Sequence, residues 1–534
     1  KRRRGRATPP PLNKGNTMAL KDLIEISRLY GSDPDYVLAG GGNTSFKDRK
    51  TLFVKSSGIP LATIDESGFV ALTREKLSVM SIRKYSANAA LREDEIKRDL
   101  LAARVDPTSN LRPSVEASLH DLIEHPYIVH THPHLVNALM CGKTGAAAVK
   151  KLFGDDAIYV PYTDPGYTLY MRVATEIKRR KSKTVPPMIF LENHGVFVGG
   201  ESPAAVKRVY DAMIKKIRAL TKKIPDTSRI TPDPKVADML PAVRMLLSEN
   251  TVKVGAFLAS GLASHFTKSA ETFAKVSSAF TPDQIVYCKA YALYIDEDGT
   301  PEEIITACKA ACASFKKKNG YAPKIVALKG IGIAAFEDNA ASAEIALAVF
   351  EDAMKISAYA ASFGGPRFMS QKAISFIDSW EVENYRRSIS KGAHGASHLA
   401  QKIAVVTGGA QGFGGGIVEH LHADGVNVII ADLNEEKGRA YADVLNAAGG
   451  KNRVRFVKAD VSDPASVEAL VRDTVIAFGG LDVFISNAGI LRAGSLDEMD
   501  ARTFDIMTKV NYTGYFYSAK YASKVMKLQH AHKP

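Results

Sequence analysis

Four cysteines in 534 residues, Cys141, Cys288, Cys308 and Cys312, are too few and too scattered to staple a fold. A disulfide scaffold is therefore excluded, and a reducing, cytoplasmic compartment is expected. Cys308 and Cys312 stand one helical turn apart in an alanine-rich stretch, where small buried side chains are the expected role. No apolar run approaches the roughly 18 residues needed to cross a bilayer, so no membrane partner is expected. The opening KRRRGRATPPPLNKGN is basic and proline-rich with no apolar stretch behind it, and does not read as a secretory signal. Residues 1–17 read instead as a disordered basic tail, with a nucleic-acid arm as the alternative. Lys1, Arg2, Arg3, Arg4 and Arg6 at the start of that tail supply five of the net fourteen positive charges. The other nine are spread along the chain, which fits attraction of an anionic substrate and argues against a nucleic-acid footprint.

The remaining sequence falls into zones. From Met18 to Asp226, helices, glycine-rich turns and short apolar strands alternate in mixed order, the pattern of an α/β layered domain. Residues 227–387 are richer in helix. A polar, glycine-containing stretch at 388–401 reads as a linker. From Lys402 to Pro534, apolar strands alternate regularly with amphipathic helices, as in a parallel doubly wound sheet. The middle zone also repeats a plan. IVALKGIGIAAFEDNAASAEIALAVFEDAMKI (325–356) follows the strand, glycine turn and alanine-rich helix of MIFLENHGVFVGGESPAAVKRVYDAMIKKI (188–217). With Gly195 set on Gly332, His194 falls opposite Ile331. A fainter match of YIVHTHP with QIVYCKA sets Tyr287 and Lys289 opposite His130 and His132. These matches suggest that the middle zone is a degenerate copy of part of the first domain, without its metal ligands.

Three histidines alternate in VHTHPH, Val129 to His134. In an extended segment residues i and i+2 project from one face, so His130 and His132 point the same way. Pro133 ends the strand, because it has no N–H to give to a ladder. A third imidazole, His194, stands just before Gly195 at the end of the apolar strand MIFL. Three histidines with an open fourth position are the donor set of a catalytic zinc site. Glu116 in RPSVEASLH would stay ionised beside a cation, either as a further ligand or as a base. AGGGNTS (39–45) and KSSG (55–58) are turns whose backbone N–H groups can converge on an anion.

The order GGGNTS, SSGIP, PSVE, HTHPH, NHG resembles the class II aldolase/adducin superfamily over Met18 to Asp226. The resemblance implies an α/β/α layered domain, assembled as a homo-oligomer, that acts on a phosphorylated sugar. It gives His130, His132 and His194 the zinc ion and Glu116 the proton transfers. It gives Gly42, Asn43, Thr44, Ser45, Ser57, Gly58 and Ser114 the substrate phosphate. Many relatives carry a second serine before the glutamate, where this chain has Val115, and Lys55 is a candidate replacement.

In the C-terminal zone, KIAVVTGGAQGFGGGIVEHL (402–421) is a strand, a glycine loop and a helix start. Gly408 permits the turn, Gly412 lets a pyrophosphate approach the helix N-terminus, and Gly414 allows close packing. A second strand ends in Asp432, whose carboxylate would accept ribose hydroxyls and repel a 2′-phosphate, which favours NAD. TGxxxGxG, the Asp460-Val461 pair, Asn487-Ala488-Gly489 and VNYTGYF resemble the short-chain dehydrogenase/reductase family. The resemblance implies that Gly408, Gly412, Phe413, Gly414, Asp432, Asp460, Val461, Asn487, Ala488 and Gly489 bind the cofactor. It makes Asn511 the asparagine that supports the family's proton relay. The tyrosine and lysine of that relay's YxxxK motif are missing. Tyr517 with Lys520 and Tyr521 with Lys524 have the wrong spacing. This half therefore reads as truncated and unable to transfer hydride.

The fold expected is α/β, a class II aldolase-like layered domain followed by a partial Rossmann domain. The two halves together resemble the bifunctional rhamnulose-1-phosphate aldolase/short-chain dehydrogenases. That implies cleavage of L-rhamnulose 1-phosphate, with zinc and NAD as cofactors. A sugar-phosphate 4-epimerase or dehydratase, or a non-catalytic adducin-like module, are the alternatives.

Overall fold

The computed structural model describes residues 14–180, 184–249, 251–380 and 397–533. Most of the basic tail and residues 388–396 of the linker lie outside them. The chain divides into two compact units. The first comprises residues up to Ile224, together with Ala279–Val286 and, among the described residues, 355–380. The second comprises 225–278, 287–354 and the C-terminal zone. The middle zone is thus not one block, since two of its segments belong to the first unit. The first helix begins at Lys14, ahead of the boundary expected at Met18.

The first unit is built on a seven-stranded sheet. Its strands are β1 (Asn43–Lys47), β2 (Thr51–Lys55), β3 (Phe69–Thr73), β4 (Tyr127–Thr131), β5 (Ala157–Val160), β6 (Met188–Leu191) and β7 (Gly195–Gly200), in spatial order β3-β2-β1-β4-β7-β6-β5. Neighbours run antiparallel except β5 and β6. Every residue of β4, β6 and β7 is buried, as expected of strands covered on both faces. The period of two divides them between layers. Val129, Phe190 and Val198 join a core with helices Lys14–Gly31 and Pro203–Arg218, while Ile128, Ile189 and Phe197 join another with helix Tyr167–Lys178. The helix after β7 starts where Ser202 accepts a hydrogen bond from the Ala205 N–H, with Pro203 in its first turn.

In the second unit, β8 (Val254–Leu258), β9 (Leu293–Ile295), β10 (Ile325–Leu328) and β11 (Gly332–Glu337) form a sheet of order β8-β11-β10-β9. The pair β8/β11 is antiparallel, β11/β10 antiparallel and β10/β9 parallel. This is the order and sense of β4-β7-β6-β5, and the same path of strands and helices is followed twice along the chain. Registers agree as well: Leu191 pairs Gly195 as Leu328 pairs Gly332, and Thr131 pairs Val196 as Leu258 pairs Ile333. The positions equivalent to His130, His132 and His194 are therefore Phe257, Ala259 and Ile331. The expected match of YIVHTHP with QIVYCKA is corrected. Most of that segment lies in the helix Pro282–Cys288, and Tyr287 and Lys289 are not strand partners of the histidines' positions. A string of alternating apolar residues this short fits either period, and the proline and aspartate opening it favour the helix.

The C-terminal sheet is β14-β13-β12-β15, all parallel, formed by β12 (Ile403–Thr407), β13 (Asn427–Asp432), β14 (Val454–Lys458) and β15 (Val483–Ile485). One hydrophobic core joins this sheet's helices to those around β8–β11, and a buried cation, Arg244, sits within the same unit. Arg244 is fully buried in the helix Lys235–Leu246. Its guanidinium donates to Asp482 Oδ1 and Oδ2 at 2.9 and 2.8 Å, to Gln529 Oε1 at 3.2 Å and to the Lys253 carbonyl at 2.5 Å. Asp482 Oδ2 also accepts the first N–H of β12 at 3.0 Å. Burial pushes the Asp482 carboxyl upward, but the guanidinium outweighs it and holds it below the ordinary range. Removing one partner leaves the other charge unpaired and buried. Arg244→Ala should cost roughly 3–5 kcal/mol of stability, read as a lowered urea midpoint by circular dichroism. A midpoint within ~0.5 kcal/mol of wild type would show that the pair is not needed.

Candidate active site

His130 lies within β4, and His132 just beyond it. His194 sits in the tight turn between β6 and β7. Their ring nitrogens lie within 4.8 Å of one another. His130 Nδ1–H donates to the Val196 carbonyl at 3.0 Å, which leaves Nε2 with its lone pair. That nitrogen is 3.1 Å from His132 Nε2. Gly195 permits this approach, since a Cβ there would stand 2.5 Å from the Thr131 carbonyl and 2.7 Å from the His132 ring. His134 is not part of the cluster. It opens the helix His134–Met140 and stacks on Tyr359.

Glu116 completes the group. Its Oε1 is buried without a hydrogen-bond partner, 3.6 Å from His130 Nε2 and 3.8 Å from His194 Nε2. A buried orphan acceptor facing imidazole lone pairs is what a divalent cation would satisfy, so these residues fit a metal. Burial pushes the imidazoles below their ordinary range, His130 to about 4 and His194 to about 3. Burial alone would raise Glu116, but the imidazoles of His130 and His194 and the Asn43 amide hold it low, at about 2. At neutral pH Glu116 is an ionised carboxylate beside the neutral rings of His130 and His194, a donor set for a cation.

Two residues that sequence reasoning passed over support it. His120, fully buried, accepts a hydrogen bond from Ser45 Oγ at Nδ1 (2.7 Å) and donates from Nε2 to Asn43 Oδ1. Asn43 is thereby oriented so that its Nδ2 donates to Glu116 Oε2 at 2.5 Å and to Ser114 Oγ at 3.4 Å. Burial lowers His120 to about 3, so it stays neutral. Its position four residues after Glu116, on the helix Ala117–Leu122, was the available signal. The second is Asp283, whose Oδ2 lies 2.5 Å from His132 Nδ1. At 151 residues from His132, it left no signal in the sequence.

The expected phosphate residues divide. Gly42 and Asn43 line the pocket with Glu116, His132 and His194. Ser57 N–H donates to the Arg112 carbonyl at 2.8 Å, which holds the Ser57-Gly58 turn against the segment leading to Ser114. Ser114 Oγ accepts the Glu116 N–H at 3.2 Å. Thr44 and Ser45 are corrected as side-chain ligands of phosphate. Strand alternation turns Thr44 to the opposite face, where its hydroxyl is 2.6 Å from Ser27 Oγ, and Ser45 is engaged by His120. Lys55 is buried at the end of β2.

In the second unit, Gly408 and Gly412 adopt φ of 64° and 58°, values that favour glycine. Gly412 begins the helix Gly412–Ala423, and the Phe413 side chain beside it is exposed. Asp432 Oδ2 accepts the Ala410 N–H and Oδ1 the Asn434 N–H, both at 3.0 Å. Asp432 thus stands at the end of β13 beside the glycine loop. Asn487 Nδ2 donates to the Thr407 carbonyl, and the Asn487 and Ala488 N–H groups both donate to Thr407 Oγ1, each at 3.0 Å. Asp460 Oδ1 accepts the Ser462 N–H at 2.9 Å and fixes the turn through Val461. Asn511 lies in a π-helical turn, 509–513, and grips the Ile490 backbone in both directions at 2.8 Å, just after Gly489.

Comparison with known proteins matches both parts. Residues 21–218 match the class II aldolase and adducin N-terminal domain, and 402–533 match the short chain dehydrogenase family. The first span is thus similar to class II aldolase domains and the second to short-chain dehydrogenases. The chain is 26% identical to an uncharacterized oxidoreductase of Bacillus subtilis, YuxG, over 96% of this chain and 78% of that protein. It is 38% identical to an uncharacterized oxidoreductase of Thermotoga maritima, over 24% of this chain and 49% of that protein. Trans-4-hydroxycyclohexanecarboxylate dehydrogenase of Sinomonas cyclohexanicum is also 38% identical, over 25% and 52%. The chain thus spans about half the length of these two dehydrogenase-region relatives. The N-terminal class II aldolase domain of a Thermoplasma acidophilum protein is 25% identical, covering 41% of this chain and 99% of that one, with a TM-score of 0.33. No helix among the described residues is long and apolar enough to cross a membrane.

The buried imidazoles fix a pH dependence. The unfolded chain takes up a proton at each imidazole near pH 6.5, whereas His120, His130 and His194 in the folded, metal-free protein resist it until about pH 3–4. Between those limits the unfolded state binds more protons, so stability is full above pH 6.5 and is lost as pH falls. The Tm of chelator-treated protein should therefore drop steadily from pH 7 to 4.5. A flat Tm over that range would count against neutral buried imidazoles.

Proposed function

We propose that the first unit is a metal-dependent aldolase that cleaves a ketose 1-phosphate, with zinc as the metal and L-rhamnulose 1-phosphate as the substrate. The products are dihydroxyacetone phosphate and L-lactaldehyde. The observation that carries this reading is the orphan Oε1 of Glu116 facing three converging imidazoles. His130, His132 and His194 would hold the ion, which when bound acts as a Lewis acid toward the negative charge of the transition state.

The chain's own residues supply the rest. Glu116 accepts the proton leaving the C4 hydroxyl. The C3–C4 electron pair moves to C3 as the C4 oxygen becomes a carbonyl, and a proton is then delivered to C3. Asn43, held by His120, keeps Glu116 Oε2 occupied, so that Oε1 is the oxygen turned to the reaction. The backbone at Gly42 and the Ser57-Gly58 turn, with Ser114, position the phosphate.

The second unit is proposed to bind NAD at the glycine loop, with Asp432 beside the ribose. The sequence holds no tyrosine followed four residues later by lysine, so no hydride-transfer step is assigned to its residues.

The test is release of dihydroxyacetone phosphate from L-rhamnulose 1-phosphate. Release should stop with a chelator, return with zinc, and fall roughly 10²–10⁴-fold in Glu116→Gln. Consumption of the sugar phosphate without three-carbon products would favour an epimerase or dehydratase. Binding of no metal at all would favour a non-catalytic module. In the second unit, Asp432→Ser should narrow the preference for NAD over NADP in a calorimetric titration, and an unchanged preference would remove Asp432 from that role.

A further inference from the structure

The span matched by the aldolase family ends at residue 218, yet the imidazole cluster has a partner beyond it. His132 lies past the last hydrogen-bonded residue of β4, so the strand does not fix its ring. His130 is oriented by the Val196 carbonyl. For His132 that place is taken by Asp283 Oδ2, 2.5 Å from Nδ1, with both side chains mostly buried. A carboxylate accepting Nδ1–H leaves Nε2 as the lone-pair nitrogen, and Nε2 is the atom facing His130.

Asp283 is held in place by the same segment's other contacts. Asn193, the residue before His194, donates from Nδ2 to the Phe280 carbonyl at 2.9 Å. Gln284 Oε1 accepts the Phe280 N–H at 2.9 Å. Residues 279–286 therefore touch His132 through Asp283 and the residue before His194 through Phe280. Gly41 belongs to this arrangement too. A Cβ there would stand 3.1 Å from Asp283 Oδ2 and 3.5 Å from His132 Nδ1. The first-unit phosphate loop thus keeps a glycine where the carboxylate enters.

We propose that Asp283 is a positioning residue of the metal centre, fixing the His132 tautomer and ring and raising its basicity as a ligand. The segment 279–286 is then a working part of the aldolase site. This rests on the metal reading above, and the experiment separates the two. Zinc affinity of the full chain is measured by competition with a chromophoric chelator, for wild type, Asp283→Ala, Asp283→Asn and His130→Ala. Losing such a hydrogen-bonded carboxylate typically weakens metal binding about 10–100-fold. Asp283→Ala should show that loss. Asp283→Asn, which keeps an acceptor of the same shape without the charge, should recover part of it. The metal-free Tm should stay near wild type in the Asn variant, which carries the test alone if the Ala variant does not fold. Wild-type affinity in the Asp283 variants, with binding lost in His130→Ala, would overturn the proposal and leave the metal reading standing. Failure of wild type to bind zinc would overturn both.

Discussion

The first unit is organised around a carboxylate that has no business being buried and ionised on its own. Moving an isolated charge into a protein interior costs several kcal/mol even after relaxation. Glu116 is 5% exposed and sits at the start of a short helix beneath the central strands. One of its oxygens is satisfied by Asn43, the other faces imidazoles. Much of the surrounding architecture serves to keep that arrangement. β1 lies beside β4 so that Asn43 pairs with His130 in register. His120 holds the far end of the Asn43 amide, and Ser45 in turn holds His120. The Lys47 ammonium bonds the His120 and Ile123 carbonyls, at 2.5 Å each. Three alternate residues of one strand, Asn43, Ser45 and Lys47, thus brace the helix that carries Glu116.

That pattern explains what was legible in the sequence. The three histidines and the glutamate were readable because their residue types are rare in apolar strands and their spacing follows a fixed period. His130 and His132 announce a shared face, and His194 announces a turn because a glycine follows it. The supports were less legible. Ser45 and Thr44 look like anion-binding hydroxyls in a glycine loop, and only the strand direction shows that both face internal partners. His120 had the spacing of one helical turn from Glu116 but no second clue. Asp283 had none, because nothing local links a helix-start aspartate to a histidine 151 residues away.

Domain boundaries were hard to read for a related reason. The chain leaves the first unit at Ile224 and returns to it twice. A boundary drawn from composition assumes that each stretch packs with its sequence neighbours. Helix Pro282–Cys288 has no composition that distinguishes it from the helices around it, and its first-turn aspartate gives it a place beside His132. In the second unit the opposite holds. The strand-helix alternation after Lys402 is regular, and its four strands pair in the order expected of a doubly wound sheet. What composition did not show there is the buried Arg244, which ties β12 and the C-terminal helix to the helix before β8 through one carboxylate and one amide.

The twice-followed path separates scaffold from chemistry. At the turn between β10 and β11 the chain keeps Gly332, where a Cβ would stand 2.6 Å from the Leu258 carbonyl and 2.6 Å from the Phe257 ring. At the corresponding turn a Cβ on Gly195 would meet the Thr131 carbonyl and the His132 ring. Both sheets need the glycine because the turn backs onto the end of a neighbouring strand, whatever side chains that strand carries. The glycine of the NHG segment is thus a demand of the fold. The histidines are not. Where His130, His132 and His194 stand in one sheet, the other has Phe257, Ala259 and Ile331, and its hairpin and register are the same. Three imidazoles are therefore not required to build this sheet, and their presence around Glu116 calls for a reason outside folding. A bound cation is the one that also satisfies the orphan carboxylate oxygen.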